Sequence, residues 1–581
     1  MIKKEFELDI ESKQKVIRKF LQRFPENIRS IIMTCILSLG AGLSAVSFLF
    51  LTNLLFSKTY VFFATKSPMV FLGASFLVIT ITSLLAGYLL YVFSPEAAGS
   101  GIPQVKIAFW KEIGNIHIKP VLVKFIAGVL SIGGGNSLGR EGPSVYLGSG
   151  VASNLDGLFG ASQRQRRRAT LIGASAGLAA AFNTPIAAIT FVIEEIVGDM
   201  NSRYLGRVVL SSVIGALVVY ATLGRHPAFS LPSIENISWL HYLVVPVVSI
   251  AASIAGVIFQ RTTIYCRGGL MKQKRIPLWL LPVCGGIITW VIGSGAYLAT
   301  GKIGVFGLGY QDLSAALAHN FEWKIAGILV CGKLFATIAG YSFGGCGGIF
   351  APSLFIGGLT GYFLGGLAGI WLPLTPDDLV VLAAVGMSAC LGTIVRAPLT
   401  SILIVFEMTH QFSMVPGLLL GTIISQAIAH RTDTLNFYDA LLVQDGHELH
   451  KIRPPIDLQS WQNLPVSAIA SPHPVALDSS DEKKMQELLD QYPYNAFPVM
   501  HGVQVRGVVT RRQMQDAIHS HKEPVIQEIG TCYSDQTIKD VGNKFVESAA
   551  QVLLVIDRNT NAVTGIITLH DLIRAQAAIQ N

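Results

Sequence analysis

The sequence predicts a polytopic α-helical membrane protein with a soluble α/β tail, and three observations support this fold class. The chain has 581 residues, of which 51% are hydrophobic and only 14% are charged, whereas a soluble protein of this length carries roughly a quarter charged residues. The shortage of charge falls between about residues 31 and 429, where apolar runs follow one another. After that region, strand-like runs alternate with helical ones in ordinary polar sequence.

The apolar runs are long enough to cross a bilayer as helices. Crossing the hydrocarbon core takes roughly 18–20 residues in a helix. Runs that reach this length without any Asp, Glu, Lys or Arg are 31–56, 69–93, 240–259 and 277–300. A buried helix of a soluble protein is rarely so long and so free of charge, so we expect these runs to span a lipid bilayer.

The basic residues indicate the topology. Lys and Arg cluster beside the apolar runs in residues 3–19, 164–168 and 272–275. Such clusters favour the cytoplasmic side, which predicts a protein of the cell (inner) membrane with its N-terminus and tail in the cytoplasm. The net charge of +8 is then a topology signal. Nucleic-acid binding is not expected, because the clusters do not form one basic and aromatic surface.

The change in composition along the chain predicts its domain organisation. We expect a cytoplasmic N-terminal segment at 1–30 and a membrane domain at 31–450. A polar, proline-containing linker at 451–463 would then lead to a tail of two similar units, at 464–520 and 521–581. The N-terminal segment lacks the short apolar core that a secretory signal needs.

Glycine-rich segments interrupt the membrane domain, so many of its helices are expected to be tilted and broken. The segments are Gly-Ser-Gly-Ile-Pro (99–103), Gly-Arg-Glu-Gly-Pro (139–143) and Gly-Ile-Phe-Ala-Pro (348–352). Paired interruptions in two halves of a transporter indicate its binding site. Close helix packing is the simpler explanation for many of the 57 glycines, but it does not explain glycines followed directly by a proline-marked helix start.

Each glycine-rich segment ends in a predicted helix N-terminus, which suits an anion. The free N–H groups and the helix dipole attract negative charge without a full cation, so an anion binds moderately and is released. The candidate N-termini lie at Ser100, at Glu141 and at Ile349 and Phe350. Glu141 is itself an anion that can occupy such a site when charged and leave it when protonated, which describes a proton-coupled gate. Taken alone, however, simple N-capping explains Glu141 better.

Together, the three segments resemble the signature motifs of the CLC chloride channel and transporter family. The resemblance covers residues 30–445 and rests on the order and separation of the motifs. It implies an inverted-repeat CLC-type fold and a homodimer with one separate pathway in each subunit. It also implies chloride as the substrate and no required cofactor.

The resemblance implies roles for individual residues. Ser100 and Tyr438, in Asn-Phe-Tyr-Asp-Ala-Leu-Leu (436–442), would be the two hydroxyl ligands of a central anion, and Glu141 would be the external gating glutamate. Without the family context, Tyr438 reads as an interfacial aromatic residue. A serine at the position of Ser100 is associated with chloride in the family. The full predicted anion-binding set is Ser100, Arg140, Gly142, Ile349, Phe350, Ala351 and Tyr438.

The choice between proton exchange and passive conduction depends on Glu195. The segments Phe-Asn-Thr-Pro (182–185) and Ile-Glu-Glu (193–195) are similar to the region in which family exchangers carry an internal proton-transfer glutamate, and Glu195 aligns with it. Glu194 is expected to be structural. Alternatively, both glutamates end a helix at the membrane interface. Further charged residues in apolar sequence are expected to form buried ion pairs or to act at a distance: Lys124, Lys333, Arg396 and Glu407.

The tail contains two similar segments, Val505–Thr510 and Val563–Leu572, each of which ends a strand and opens a helix. This repeat resembles a pair of CBS domains, which often bind adenine nucleotides such as ATP, ADP or AMP. The resemblance implies nucleotide contacts from Thr510, Thr568 and Asp571. The first copy has Gln513 where the second has Asp571, so a purely structural, dimer-bracing pair is an equally open interpretation.

Other function classes find less support. Residues 327–333 superficially resemble a phosphate-binding loop, but Leu334 replaces the required Ser or Thr. His-Glu-Leu-His at 447–450 has the wrong spacing for a zinc protease, and the seven cysteines lack a CxxC pair, so we expect neither an enzyme nor a metal site. A CBS-bearing cation transporter remains an alternative outside the class. A passive voltage- or pH-gated chloride channel remains the alternative within it.

Overall fold

The computed structural model describes most of the chain as two compact units, Met1–Ile452 and Arg453–Asn581. The predicted linker at 451–463 and most of the predicted N-terminal segment at 1–30 lie outside the described residues. The described ranges are 25–161, 163–198, 204–224, 229, 234, 237–273, 275–432, 435–447, 465–472, 474–479, 481–501, 504–547, 552–558 and 562–572.

The first unit is helical throughout its described part. Its principal helices are α1 (Glu26–Phe56), α2 (Pro68–Phe93), α3 (Ile102–Trp110), α4 (Ile118–Gly133), α5 (Glu141–Leu158), α6 (Gln163–Phe182), α7 (Pro185–Phe191), α8 (Leu205–Thr222), α9 (His241–Lys272), α10 (Leu281–Thr300), α11 (Tyr310–Leu317), α12 (Trp323–Ser342), α13 (Phe350–Ala368), α14 (Pro376–Val395), α15 (Pro398–Thr409), α16 (Val415–Thr432) and α17 (Phe437–Gln444). Shorter helical turns are Ser57–Val61, Phe62–Ala64, Pro95–Ala97, Val192–Val197, Leu278–Leu280 and Phe412–Met414.

Long and short helices alternate in this unit, as the glycine-rich segments predict. Across the described residues, nine helical stretches are long and apolar enough to cross a membrane. Others are too short, such as the nine-residue α3, which begins after Gly101 in the left-handed region at φ +95°. Proline begins α2, α7, α14 and α15, where its missing N–H costs no hydrogen bond. The first unit is therefore a polytopic bundle with broken helices.

The helices form two repeats with the same order. Helices α2–α8 correspond one by one to α10–α16, with α9 between the two sets. In both repeats the second helix is short and follows a glycine with positive φ, which is Gly101 before α3 and Gly309 before α11. In both, the fourth helix starts within one of the predicted anion-binding segments, at Glu141 and at Phe350.

A buried lysine supports the broken backbone in each repeat. Lys124 Nζ donates to the carbonyl oxygens of Ala97 at 2.7 Å and Gly99 at 3.0 Å. Lys333 Nζ donates to three carbonyl oxygens in the segment 304–307. Of the two roles predicted for these lysines, the ion pair is not seen in the part of the chain that is described, because the unsatisfied carbonyls before the short helices bind the ammonium groups instead, whereas action at a distance stays a prediction.

The two repeats cap each other through glutamates. Glu407, near the end of α15, accepts hydrogen bonds from the backbone N–H groups of Ile186 and Ala187 at the start of α7, at 2.9 and 2.7 Å. Glu194, after α7, accepts from the N–H groups of Leu399 and Thr400 at the start of α15, at 3.1 and 2.8 Å. The geometry agrees with a structural Glu194, and the partners of Glu407 are backbone N–H groups where the sequence suggested an ion pair or an action at a distance.

Small residues allow the fourth and fifth helices of each repeat to touch. A Cβ atom added to Gly148 of α5 would lie 2.3 Å from the carbonyl oxygen of Gly173 in α6. One added to Gly357 of α13 would lie 2.2 Å from that of Gly386 in α14. These glycines serve close packing, as small residues commonly do between membrane helices.

The second unit is an α/β tail with two cores. Its elements are β1 (Ser471–Pro472), α18 (Glu482–Gln491), β2 (Ala496–His501), β3 (Gln504–Thr510), α19 (Arg511–Ser520), β4 (Gly530–Tyr533), α20 (Ile538–Glu547), β5 (Val552–Ile556) and β6 (Val563–Thr568). Strands β2 and β3 form an antiparallel pair, and the other sheet has the order β1-β6-β5-β4. Phe497 lies in one hydrophobic core and Leu553 in the other. The tail therefore has two separate hydrophobic cores, and its division at 464–520 and 521–581 stays a prediction.

Candidate functional site

The site begins where the two repeats meet. The backbone N–H of Gly139 donates to the carbonyl oxygen of Gly348 at 2.7 Å, and the N–H of Gly348 donates to that of Gly139 at 2.6 Å. This reciprocal pair joins the segments that precede α5 and α13. The N-termini of both helices, which attract negative charge, are thereby held side by side.

Ser100 and Tyr438 bring two hydroxyl groups to the same place. Both side chains are buried and lie close to one another, and neither hydroxyl has a well-formed hydrogen bond to a described residue. Gly142 lies against Ser100, since a Cβ atom there would be 2.2 Å from Ser100 Oγ. The ring of Phe350 stacks on Tyr438 with centroids 6.5 Å apart. Buried hydroxyls normally have partners, so this pair is suited to donate to an anion.

The backbone of α13 completes this arrangement. Ile349 is the N-cap residue, and Phe350 and Ala351 are the first two residues of the helix. All three are buried, and the first N–H groups of a helix have no acceptor within the helix itself, so they are available to an acceptor in a protected region. The structure therefore brings together the predicted residues Ser100, Gly142, Ile349, Phe350, Ala351 and Tyr438.

Glu141 occupies the start of α5 with its side chain fully buried. Its Oε2 accepts from the backbone N–H of Ala351 at 3.4 Å, and its Oε1 accepts from the hydroxyl of Tyr310 at 2.8 Å. The carboxylate thus lies on the N-terminus of α13. The sequence interpretation missed Tyr310, which lies 169 residues further along the chain.

Arg140 contacts a different part of the site from the other predicted anion-binding residues. Its Nη1 donates to Asn53 Oδ1 at 3.2 Å, and its guanidinium lies 5.6 Å from the ring centroid of Tyr310. Arg140 and Tyr310 line a cavity of about 290 Å³, which we call the Arg140 cavity. This places Arg140 at an approach to Glu141.

A second cavity reaches Ser100. This Ser100 cavity has a volume of about 470 Å³ and is also lined by Tyr341, Arg267 and Asp445. Arg267 Nη2 donates to Asp445 Oδ1 at 2.8 Å, so its charge is balanced at the cavity wall. Ser100 is thus the predicted anion ligand that this cavity reaches.

Glu195 lies in a buried network of charges. It belongs to the π-helical turn Val192–Val197, an irregularity that is frequent at functional sites. Its Oε1 accepts from Lys106 Nζ at 2.7 Å, and its Oε2 accepts from Asn436 Nδ2 at 2.9 Å. Lys106 Nζ also lies 2.5 Å from Oδ1 of Asp439, whose side chain is 23% exposed.

The sequence interpretation missed three members of this network: Lys106, Asn436 and Asp439. A signal for Lys106 was present, because it is a lysine inside the apolar helix α3 that directly follows Ser100. Asn436 is the N-cap of α17, and Asp439 follows Tyr438 in the same helix. Glu195 is thus connected to the helix that carries Tyr438.

The tail residues predicted to bind nucleotide cap helices. The Thr510 hydroxyl accepts from the N–H of Gln513 at 3.3 Å, and Gln513 Oε1 accepts from the N–H of Thr510 at 2.9 Å. Thr568 and Asp571 form the same pair of bonds at 3.3 and 2.9 Å. These are capping boxes, and Gln513 performs this role as well as an aspartate would.

Comparison with known families defines the class of protein. Residues 82–430 match the family described as voltage gated chloride channel, and residues 521–578 match the CBS domain. The first match covers more than half of the chain, so the protein belongs to this CLC-type family of chloride-transporting membrane proteins. The family predicted from the sequence is confirmed, and its members are transporters, not enzymes.

Solved structures of similar fold support the architecture. A slow cyanobacterial Cl⁻/H⁺ antiporter has 23% sequence identity and a TM-score of 0.64, and the match covers 73% of this chain and 98% of that chain. A eukaryotic CLC transporter has 18% identity, a TM-score of 0.57 and coverage of 93% and 97%. A CLC-type fluoride/proton antiporter has 19% identity, a TM-score of 0.59 and coverage of 72% and 98%. The predicted inverted-repeat CLC-type fold is thus confirmed.

Proposed function

We propose that this protein exchanges chloride for protons across a membrane, with Glu141 as the gate and Glu195 as the internal proton-transfer residue. One observation carries the proposal: the Glu141 carboxylate accepts the N–H of Ala351 on the N-terminus of α13, where a chloride ion would otherwise bind. A carboxylate in that position competes with the anion when it is charged. When it is protonated it loses its charge, and with it the attraction that holds it at the helix N-terminus. Two of the similar solved structures are described as proton antiporters.

The central anion would be held by dipoles rather than by a cation. The hydroxyls of Ser100 and Tyr438 and the backbone N–H groups of Ile349 and Phe350 are the proposed ligands, and the buried hydroxyls support this. Gly142 and Ala351 would contribute backbone, and Arg140 would attract anions into the Arg140 cavity. Ligands without full positive charge allow the ion to leave.

The proton would reach Glu195 from the side of Asp439. Lys106 contacts both carboxylates, of which Asp439 is partly exposed and Glu195 is buried. Lys106 can therefore compensate whichever carboxylate is deprotonated while the other carries the proton. Burial of Glu195 supports a role in transfer, because an exposed carboxylate would exchange its proton freely with water.

Replacement of Glu195 by Gln tests this function. In liposomes with opposed chloride and proton gradients, we expect the variant to lose chloride-driven proton movement and to keep its anion flux.

Glu141→Ala should also uncouple protons and make anion flux independent of pH. The exposed Glu112 supplies a control, since Glu112→Gln should retain coupling. If the unmodified protein passes chloride at its Nernst potential without proton movement, exchange is wrong.

A passive chloride channel is the second candidate, and the contacts of Glu195 favour it. Lys106 and Asn436 both donate to this carboxylate. A glutamate that never left these donors would not be free to hand on a proton. The same liposome experiment separates the two functions, because a channel shows no coupled proton movement under any gradient.

We also propose the assembly and placement that the family resemblance implies. The protein would be a homodimer in the cell (inner) membrane, with its N-terminus and its tail (464–520 and 521–581) in the cytoplasm. The tail would bind an adenine nucleotide through Thr510, Thr568 and Asp571, or it would only brace the dimer, which the capping bonds favour. Calorimetry on the whole protein with ATP, ADP and AMP decides between these, since absence of heat with all three excludes nucleotide binding.

A further inference from the structure

We propose that Tyr310 is a positioning residue for the gate. Its hydroxyl holds the charged Glu141 carboxylate on the N-terminus of α13 and so determines how readily an anion displaces it. The inference deepens the proposed function, because it takes Glu141 to be the gate. It rests on the 2.8 Å hydrogen bond between the Tyr310 hydroxyl and Glu141 Oε1.

The surrounding structure fixes the Tyr310 side chain. Tyr310 is the first residue of α11, and the turn before it requires Gly309, at φ +81°. The ring of Phe229 meets that of Tyr310 edge-on with centroids 5.4 Å apart, and the Arg140 guanidinium lies 5.6 Å from the same ring. Lys333 holds the preceding segment by three hydrogen bonds. The hydroxyl is therefore a donor in a defined position.

The bond distinguishes the charged gate from the neutral one. A hydrogen bond to an ionised carboxylate is shorter and roughly twice as strong as one between neutral groups. The Tyr310 bond, at 2.8 Å, is shorter than the bond from the Ala351 N–H, at 3.4 Å. When Glu141 is protonated, most of this attraction is lost and the side chain is released.

Other charged groups lie near the gate but are committed elsewhere. Arg140 donates to Asn53, Lys333 donates to backbone carbonyls, and Asp312 accepts from the N–H of Gly304 at 2.6 Å. Among the residues that the structure describes, Tyr310 is the one side chain that donates a hydrogen bond to Glu141. Removing its hydroxyl should therefore affect the gate directly.

Tyr310→Phe removes the hydroxyl and keeps the ring. We expect the pH of half-maximal chloride efflux from liposomes to rise by about one unit, because a lost bond to a charged group is worth roughly one to two pH units. The shift is upward because the Tyr310 hydroxyl stabilises the charged form of Glu141. Without that donor, Glu141 takes up its proton at a higher pH. Chloride affinity at pH 7.5, measured by calorimetry, should rise about fivefold or more because its competitor is held less firmly.

Two controls make the test specific. Tyr362, in α13, donates to the carbonyl oxygen of Phe321 at 3.0 Å, so Tyr362→Phe makes the same chemical change and should leave the pH profile unchanged. In a Glu141→Ala background, Tyr310→Phe should add nothing. An unchanged efflux profile and chloride affinity in Tyr310→Phe, or an equal shift in the Glu141→Ala background, would overturn the proposal. The efflux assay detects chloride and does not detect proton movement. A failure of proton exchange would therefore be recognised separately.

Discussion

Lys106 shows how one buried side chain can connect the proposed proton-transfer residue to the proposed anion ligands. Its ammonium group contacts Glu195 at 2.7 Å and Asp439 at 2.5 Å, and its helix follows directly from Ser100. Asp439 lies beside Tyr438 in α17. A change in the charge of either carboxylate therefore changes the electrostatic environment of a proposed anion ligand, because Asp439 is the neighbour of Tyr438 and Lys106 connects Asp439 to Glu195.

Replacement of Lys106 should show how much this network contributes to the stability of the protein. Lys106→Met leaves two carboxylates close together without a cation, and breaking a buried pair typically costs about 3–5 kcal/mol. We expect a lower melting temperature at pH 7.5, because the two carboxylates lose the cation that they share. Adding Glu195→Gln should restore part of the stability. The exposed Lys119 provides the control, and an equal loss in Lys119→Met would contradict this account.

At the scale of helices, the structure explains which predictions from sequence succeed. The starts of α5 and α13 follow from their Gly and Pro residues, so Glu141, Ile349 and Phe350 could be located in advance. Tyr310 could not, because its bond to Glu141 joins residues 169 positions apart. The same holds for Asn436, which lies 241 positions from Glu195. Periodicity and helix signals describe local structure, and they contain no information about which distant helix supplies a donor.

The buried charges show a second limit of sequence interpretation. An intramembrane lysine or glutamate needs a partner, and the sequence suggested other charges. In the structure, the partners of Lys333 are backbone carbonyl oxygens and the partners of Glu407 are backbone N–H groups, in both cases at helix ends. Broken helices leave such groups unsatisfied, but their number cannot be counted until the breaks are known.

The reciprocal caps give a prediction for the helices α7 and α15. Glu407→Ala leaves two N–H groups at the start of α7 without an acceptor, which should destabilise the protein by about 1–3 kcal/mol. Glu194→Ala should have a similar effect at α15, because its bonds are of the same kind. Thermal unfolding in detergent measures both. Glu322 is an N-cap without a capping bond, so Glu322→Ala should change little, and a comparable loss there would contradict the interpretation.

The whole molecule combines two units with separate cores, and Cys532 reports on the second. This thiol is buried, with Sγ 3.6 Å from the carbonyl oxygen of Leu554, and burial raises its pKa to about 11. At pH 8 little thiolate is present, because the thiolate forms only near the raised pKa. We expect slow alkylation of Cys532 in the folded protein and fast alkylation once the tail unfolds, as measured by peptide mass spectrometry.

The alkylation rate also tests for nucleotide binding to the tail. A nucleotide that binds the folded tail lowers the population of the unfolded tail, so ATP or AMP should slow the modification of Cys532 further. Fast alkylation in the folded protein would contradict the burial of this thiol. An unchanged rate with saturating nucleotide would favour the bracing role.

The paired backbone bonds between Gly139 and Gly348 have a consequence for motion. Main-chain atoms make these bonds, and the space beside them has room only for glycine, because a Cβ atom added to Gly139 would lie 2.4 Å from Glu141 Oε2. We therefore expect the two segments to keep their places while the Glu141 side chain moves. Structures determined at high and low pH should accordingly superimpose at these two glycines.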